Sequence, residues 1–135
     1  MIVRFSIVKV AVICCSLFVN AFECLAQDQP APALKVSEVE HDFGDIPAGT
    51  PVECVFTLTN TGDAPLVIAT IHASCGCTKP EFSEEPVLPG KSTDIRVKFN
   101  AQGLGTFSKT ITVYANTKDK AHLLFIKGNL YAPQN

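Results

Sequence analysis

The cysteines are the residues of this sequence that offer the widest choice of chemistry. Six occur among 135 residues, and Cys54, Cys75 and Cys77 are the three that follow the apolar N-terminal segment. Cys75 and Cys77 are separated by a single glycine. Two sulfurs at this spacing can form a disulfide or bind a soft ion such as Cu(I) or Zn(II). They are therefore the candidate thiol/disulfide or metal site, and the sequence leaves the identity of any metal unknown.

A bridge between Cys75 and Cys77 requires the chain to bend. In an extended strand, Cα atoms two residues apart are separated by nearly 7 Å, which is at the limit for a disulfide. Gly76 can supply the bend because it tolerates unusual backbone angles. So small a loop stabilises the fold by only about 1.6 kcal/mol, whereas a bridge from Cys54 to either of the other two would contribute about 3 kcal/mol. Both pairings stay open at this point.

Cys54 is predicted to be a core thiol, because it shares the inward phase of the alternating run Val52–Leu58. Burial in apolar surroundings makes a thiol unreactive. His72 lies three residues before Cys75, but an offset of three reverses the face of a strand, so His72 is expected on the surface. The local sequence thus supplies only two of the four ligands of a closed zinc site.

No catalytic set accompanies these cysteines. The sequence shows no ordered Ser/His/Asp set, no phosphate-binding loop and no pair of carboxylates placed for acid–base chemistry. We therefore expect no enzyme and no cofactor, with thiol–disulfide redox chemistry or Cu(I)/Zn(II) binding through Cys75 and Cys77 as the alternative. Eleven basic against thirteen acidic residues, a net charge of −2, exclude a concentrated positive surface for nucleic acid.

Residues 1–26 have the features of a secretory signal peptide. Arg4 and Lys9 precede the apolar run Val10–Phe22, and small residues lead up to Ala26. That run falls short of the roughly 20 residues needed to span a bilayer, so no membrane span is expected in the mature protein. The domain prediction is a signal peptide at 1–26, a flexible Pro/Ala-rich lead-in at 27–33 and one domain at 34–135. The protein is expected to be periplasmic or extracellular.

The remaining chain alternates between apolar and polar residues, with turn residues between the runs. Residues 34–40 are predicted as a strand, 43–49 as a change of direction, 52–58 as a half-buried strand and 66–73 as a central strand. Three prolines in 74–90 are taken to exclude a long helix or a paired strand there, apart from a short strand near Val87. The alternation of the second half predicts three further strands, marked by inward residues Ile95, Val97 and Phe99, then Ile111, Val113 and Ala115, then Leu124, Ile126 and Leu130.

Six or seven short strands without a helical stripe predict an all-β protein, an Ig-like antiparallel β-sandwich of about seven strands. A small Greek-key barrel is the alternative architecture. Gly128, inside the last strand, is expected at a bulge or at a close approach of the backbone.

Several of these residues form a pattern that resembles a family of secreted bacterial Ig-like domains of unknown function. The specific part is Ser74-Cys75-Gly76-Cys77-Thr78; the fold of that family is similar to ASPM/SPD-2/Hydin and major-sperm-protein domains. The resemblance implies a seven-stranded extracytoplasmic module without established catalysis, and it marks Cys75 and Cys77 as a signature pair without assigning them a role. Weaker matches are Phe43-Gly44, Ile46, Phe56, Asn60, Gly62, Pro65-Leu66, Ile68, Pro80, Pro89-Gly90, Asn116 and Gly128.

The functional prediction is a non-catalytic interaction or structural module of the cell envelope, with another envelope protein as its partner. An Ig-like domain can present a face, a loop or an exposed strand edge to such a partner. The sequence does not indicate the oligomeric state.

Overall fold

A computed structural model describes residues 28–134, and the predicted signal peptide lies outside these residues. The described chain is all β and contains no helix, so no segment of it qualifies as a membrane-spanning helix. Eight strands are present: β1 Leu34–Val36, β2 Glu40–Pro47, β3 Val52–Asn60, β4 Ile68–Ala73, β5 Thr78–Glu81, β6 Ser92–Phe99, β7 Gly105–Ala115 and β8 Ala121–Tyr131.

The strands form a sandwich of two four-stranded sheets, which confirms the predicted Ig-like fold. One sheet has the order β1-β3-β6-β5 and the other β2-β8-β7-β4. Every pair is antiparallel except β2 with β8, which is parallel. The sandwich is thus not wholly antiparallel, because β2 joins the edge of its sheet beside the last strand of the chain.

The core lies between the two sheets and is made by the inward phase of the long strands. Phe56, Leu58, Ile95 and Val97 face it from one sheet, and they are fully buried. The opposite sheet supplies the residues predicted for it, Ile111, Val113, Leu124, Ile126 and Leu130. Burial of such side chains contributes roughly 1.5–3 kcal/mol each, so this layer supplies most of the stability of the fold.

The predicted turn at 43–49 is wrong over most of its length. Strand β2 runs on to Pro47, and the chain reverses only afterwards, around Gly49 at a φ of +82°. Gly44 lies inside β2 at a φ of +67°, where the register with β8 shifts between Asp42 and Asp45. A glycine in a bulge therefore looked in the sequence like a glycine in a turn.

Four strand assignments also need correction. The strand predicted as central is β4, which begins at Ile68 and lies at the edge of its sheet. Strand β5 contains Pro80 and pairs with β6, although the prolines were taken to exclude pairing there. The strand expected near Val87 is a single bridge between Val87 and Leu66, and the first predicted strand is interrupted between β1 and β2.

Gly128 lies at the close backbone approach that was one of its two predicted settings. A Cβ at this position would lie 2.8 Å from the carbonyl oxygen of Gly44 and 2.9 Å from the ring of Phe107. The bulge in β2 therefore packs directly against Gly128 in β8, and there is no room for a side chain at this position.

The segment before β1 was predicted to be a flexible lead-in, but its last residues are hydrogen bonded to the turn after β3. The Asp63 amide donates to the carbonyl of Ala31 over 3.1 Å, and the Thr61 amide donates to that of Ala33 over 2.9 Å. The contact is so close that a Cβ on Gly62 would lie 2.2 Å from the Ala31 oxygen. Residues 31–33 are thus part of the folded domain.

Candidate functional site

The chain crosses from one sheet to the other at Ser74–Thr78, which we call the disulfide corner. It connects β4, at the edge of one sheet, to β5, at the edge of the other. Within it Cys75 and Cys77 form a disulfide, with their Cα atoms 5.3 Å apart. The bend expected at Gly76 is present, and Cys54 stays a free cysteine. The structure therefore resolves the pairing that the sequence left open.

Backbone hydrogen bonds hold the corner on both sides. The Ser74 amide donates to the carbonyl of Thr110 over 2.9 Å, and the Ser74 hydroxyl accepts from the Thr110 amide over 3.1 Å. The amide of Asn100 donates to the carbonyl of Cys77 over 3.0 Å. The corner is thus tied to β7 on one side and to the end of β6 on the other.

Thr78 lies beneath the bridge. Its side chain is buried, with 3% of the residue exposed, and its hydroxyl oxygen is 3.6 Å from the Cys75 sulfur and 3.9 Å from the Cys77 sulfur. A disulfide sulfur carries no proton, so the single hydroxyl proton of Thr78 is the donor that the two contacts share. The sequence Ser-Cys-Gly-Cys-Thr therefore specifies one compact structure. Its serine is hydrogen bonded to β7, its two cysteines form the disulfide around the bend at the glycine, and its threonine supplies the hydroxyl donor.

Strand β4 has an unpaired edge directly beside the corner. The bond from Ser74 to Thr110 defines the hydrogen-bonded phase of the β4–β7 ladder, which also includes His72 opposite Thr112. In an antiparallel ladder the intervening residues direct their N–H and C=O groups the other way. The backbone groups of Ile71 and Ala73 consequently face the open side of the sheet.

The same alternation explains the proline in β5. The bond from Asn100 to Cys77 places Lys79 and Glu81 in the hydrogen-bonded phase of the β5–β6 ladder. Pro80 falls in the other phase, so the N–H that it lacks would have faced the open edge. Strand β5 therefore pairs fully with β6 while its outer edge lacks one donor.

A shallow groove of about 600 Å³ lies between these two unpaired edges. Ile71 and Ala73 border it from β4, Thr78 and Pro80 border it from β5, and the disulfide closes one end through Cys75. His72 also lines the groove; it is exposed, as predicted, and its ring makes an edge contact with Tyr114 at 5.7 Å between centroids. The groove thus combines apolar side chains with free backbone hydrogen-bonding groups.

Charged residues surround the outer rim of the corner. Lys79 and Lys98 lie opposite each other in the β5–β6 register, and both line a second depression beside Cys77. Lys98 forms an ion pair with Glu81 at 2.7 Å, and the hydrogen bond from Lys98, followed by its charge, lowers the pKa of the Glu81 carboxyl. Within residues 28–134, Lys79 has no carboxylate partner within ion-pair distance.

Cys54 is not part of this site. It lies in the core of the β3–β6 sheet, opposite Val97, and 6% of it is exposed. Burial raises the pKa of its thiol to about 12, with smaller contributions from the charges of Glu38 and Glu53. Such a thiol carries almost no thiolate at neutral pH.

Metal binding by Cys75 and Cys77 would require the bridge to be reduced, since only thiolates ligate strongly. In the part of the chain that the structure describes, no three His, Cys, Asp or Glu side chains are grouped so that they could hold a metal ion. His41 and His122 do not contribute to the corner: His41 lies beside Glu38 at 3.0 Å, and His122 lies against the Thr117 hydroxyl at 2.7 Å.

The sequence did not identify the groove, because the edge positions of β4 and β5 depend on strand order. Pro80 was the available signal: a proline in a strand-like run indicates an edge. Lys79 was visible beside the cysteines, but its unpaired state depends on the Lys98–Glu81 contact across strands.

Comparison with known proteins yields one family and several structures of the same fold. Residues 34–130 match the family model described as "Protein of unknown function (DUF1573)". No curated protein sequence matches the chain.

The similar structures come from bacteria and from human. A protein of unknown function from Porphyromonas gingivalis W83 matches with a TM-score of 0.66 at 17% identity, over 73% of this chain and 47% of its own. The ASH/PapD-like domain 7 of human CEP192 matches with a TM-score of 0.63 at 10% identity, over 86% of this chain and 97% of its own. The Vibrio cholerae protease VesB matches with a TM-score of 0.58 at 16% identity, over 72% of this chain and 31% of its own. The chain thus spans about half of the P. gingivalis protein and about a third of VesB, and at these identities the likeness concerns the fold.

Proposed function

The chain belongs to the DUF1573 family, and we propose that it is a non-catalytic interaction module of the bacterial cell envelope, exported by its N-terminal segment, which binds an extended segment of a partner protein along β4. A domain of unknown function with a PapD-like/ASH fold fits a binding role better than a catalytic one. The similar fold occupies only part of the P. gingivalis protein and of VesB, which is consistent with a module.

The observation that carries the proposal is the unpaired edge of β4. Ile71 and Ala73 offer N–H and C=O groups toward the groove, and β4 contains no proline or charged side chain to block a further strand. Addition of a strand to such an edge gives affinity through main-chain hydrogen bonds and specificity through alternate side chains.

The other three edges are less suited to this role. Strand β1 has three residues, β5 lacks a donor at Pro80, and β2 is interrupted by its bulge and carries acidic side chains. Short strands, bulges, prolines and charges are the features that prevent edge pairing. Strand β4 is thus the edge that these features leave available.

The occupant is an extended polypeptide whose alternate side chains are apolar and small. Those that point into the groove would contact Ile71, Ala73 and Pro80. The disulfide corner limits the groove at the end of β4, so the bound segment would end or turn beside Cys75. A helix would not fit this edge, because its own backbone groups are already paired.

Selection from a phage-displayed library of random peptides tests the proposal, with Ala73→Pro as the informative variant. Proline at this position removes only the outward N–H, so the β4–β7 ladder is retained. Peptides selected on the wild-type protein should bind the Ala73→Pro variant at least about tenfold more weakly than the wild type. The reason is that loss of one main-chain hydrogen bond to the peptide costs on the order of 1.4 kcal/mol of binding free energy.

Ala73→Ser is the matched control, because it retains the N–H and should bind as the wild type does. Amide hydrogen exchange supplies the second measurement: the Ile71 and Ala73 amides should become protected when peptide is added. Peptides that bind Ala73→Pro and the wild type equally, or that protect another surface, would refute the assignment of β4.

A further inference from the structure

The Cys75–Cys77 bridge is placed so that a thiol can reach it from outside. Cys75 lines the open groove between β4 and β5, and Cys77 lines the depression on the other side of the corner. The tip residue Gly76 is exposed, with no atom within 4 Å of the position that a Cβ would take. Both cysteines are only partly buried, so that a thiol in solution has access to the corner.

The two sulfurs are not equivalent. A thiolate attacks a disulfide along the S–S axis, from the side opposite the sulfur that leaves. Cys77 packs against the hydrophobic core, whereas Cys75 is not among the residues packed against it. Cys75 borders the open groove instead, which favours its sulfur as the one that an external thiolate attacks.

The surroundings of Cys77 favour its departure as a thiolate. Lys79 and Lys98 line the same depression as Cys77, and the charge of Lys98 is compensated by Glu81 at 2.7 Å. Lys79 is therefore the cation that remains to stabilise a developing negative charge on sulfur. The Thr78 hydroxyl, 3.6 Å from the Cys75 sulfur and 3.9 Å from the Cys77 sulfur, is a hydrogen-bond donor within reach of either sulfur and does not distinguish them.

We propose that the Cys75–Cys77 bridge is a thiol–disulfide exchange site that oxidises dithiol proteins, with Cys75 as the attacked sulfur and Cys77 as the leaving group. In the first step a partner thiolate bonds to Cys75, the bond between Cys75 and Cys77 breaks, and the electron pair leaves with Cys77, which then takes up a proton. In the second step the partner's other thiolate attacks the partner sulfur of this mixed disulfide and releases Cys75. The partner loses two electrons and two protons, and Cys75 and Cys77 gain them.

This activity is independent of strand addition at β4, because the attack requires only access to Cys75. Reduced glutathione serves as the probe of the first step, on the oxidised protein in which Cys54 and the N-terminal Cys14, Cys15 and Cys24 are replaced by alanine, so that no other thiol interferes. After acid quenching, peptide mapping should find the glutathione adduct predominantly on Cys75. Equal labelling of both cysteines, labelling of Cys77 alone, or a bridge that resists reduced glutathione would overturn the proposal.

Lys79 is a positioning residue, and its test is a pH profile. In the reduced protein with the same four alanine replacements and Cys75→Ala, the rate of Cys77 alkylation by iodoacetamide follows the thiolate fraction. Lys79→Met should move this profile to higher pH, and below the pKa the reaction should slow about tenfold for each pH unit by which the profile moves. Lys79→Arg should restore the wild-type profile, and Lys91→Met, which lies outside the corner, should not change it. An unchanged profile in Lys79→Met would remove Lys79 from the mechanism.

The second step is measured with reduced, unfolded ribonuclease A as the dithiol protein. The oxidised wild-type chain should form disulfides in ribonuclease A while its own pair becomes reduced in equal amount, and the double variant Cys75→Ser/Cys77→Ser should not. The glutathione adduct reports on exchange alone and the binding of selected peptides to Ala73→Pro reports on strand addition alone, so that the two proposals can fail separately. If ribonuclease A stays reduced, the exchange proposal fails and the proposed binding role is unaffected.

Discussion

The Cys54 thiol shows how the core determines the chemistry of a single residue. Its side chain is surrounded by apolar neighbours, and burial, with the charges of Glu38 and Glu53, raises its pKa to about 12. In the unfolded chain the same thiol would ionise near its ordinary value of 9.0. Between these two values the unfolded state has lost the proton that the folded state retains.

Cys54 should therefore make the protein less stable as the pH rises above 9. Its contribution is complete below that pH and is lost progressively toward pH 12, at about 1.4 kcal/mol per pH unit. Urea unfolding at about pH 8, 9 and 10 measures this slope in the wild type and in Cys54→Ala. The slope should be shallower in the variant, and identical slopes would show that the thiol does not contribute.

Asn60 is the polar residue on which the end of β3 depends. It is fully buried, and its side-chain amide donates to the carbonyls of Ala64 and Val87, each over 2.8 Å. Its side-chain oxygen accepts from the Gly62 amide over 3.0 Å. One side chain thus links the turn after β3 to the segment around Val87.

Asn60→Ala should lower the free energy of unfolding by about 3 kcal/mol, because it removes three hydrogen bonds and leaves the Ala64 carbonyl and the Gly62 amide without that partner in a part-buried position. Asn116→Ala is the control, since Asn116 also bridges backbone groups, those of Pro65 and Val67, but is exposed to water. Its cost should be about 1 kcal/mol. Equal urea midpoints for the two variants would contradict the role given to burial.

At the scale of the strand, the two phases of β5 predict opposite responses to proline. Pro80→Ala should change stability by less than about 1 kcal/mol, because the restored N–H faces the open edge. Lys79→Pro should cost about 3 kcal/mol or more, because it removes a donor to β6. Lys79→Ala, which retains the backbone N–H, controls for loss of the side chain. Thermal unfolding of the three variants measures the difference, and equal melting temperatures for Lys79→Pro and Lys79→Ala would place the ladder in the other phase.

The strands themselves could be predicted from the sequence, whereas their neighbours could not. Alternation revealed the inward residues of β3, β6, β7 and β8, since the period of a strand is a local property. Strand β4 was placed at the centre because nearly every residue in it looked apolar, but its position depends on which strands lie beside it. The disulfide was one of two pairings that the sequence allowed, and the groove exists only because two strand edges meet at the corner.

For the molecule as a whole, the continuous apolar layer makes the disulfide a minor contributor to stability. The double variant Cys75→Ser/Cys77→Ser should unfold cooperatively in urea, with a free energy of unfolding lower by about 1–2 kcal/mol, as expected for so small a loop. Circular dichroism of the native variant should match that of the wild type. A variant that is unfolded in the absence of urea would show that the bridge, rather than the core, holds the two sheets together.

The parallel contact between β2 and β8 has a consequence for biosynthesis. In its sheet β2 pairs with β8 alone, so an early segment has no lateral neighbour until the last strand is synthesised. This sheet therefore cannot close until β8 has been synthesised, and docking of β2 would be a late event in the folding of the described domain.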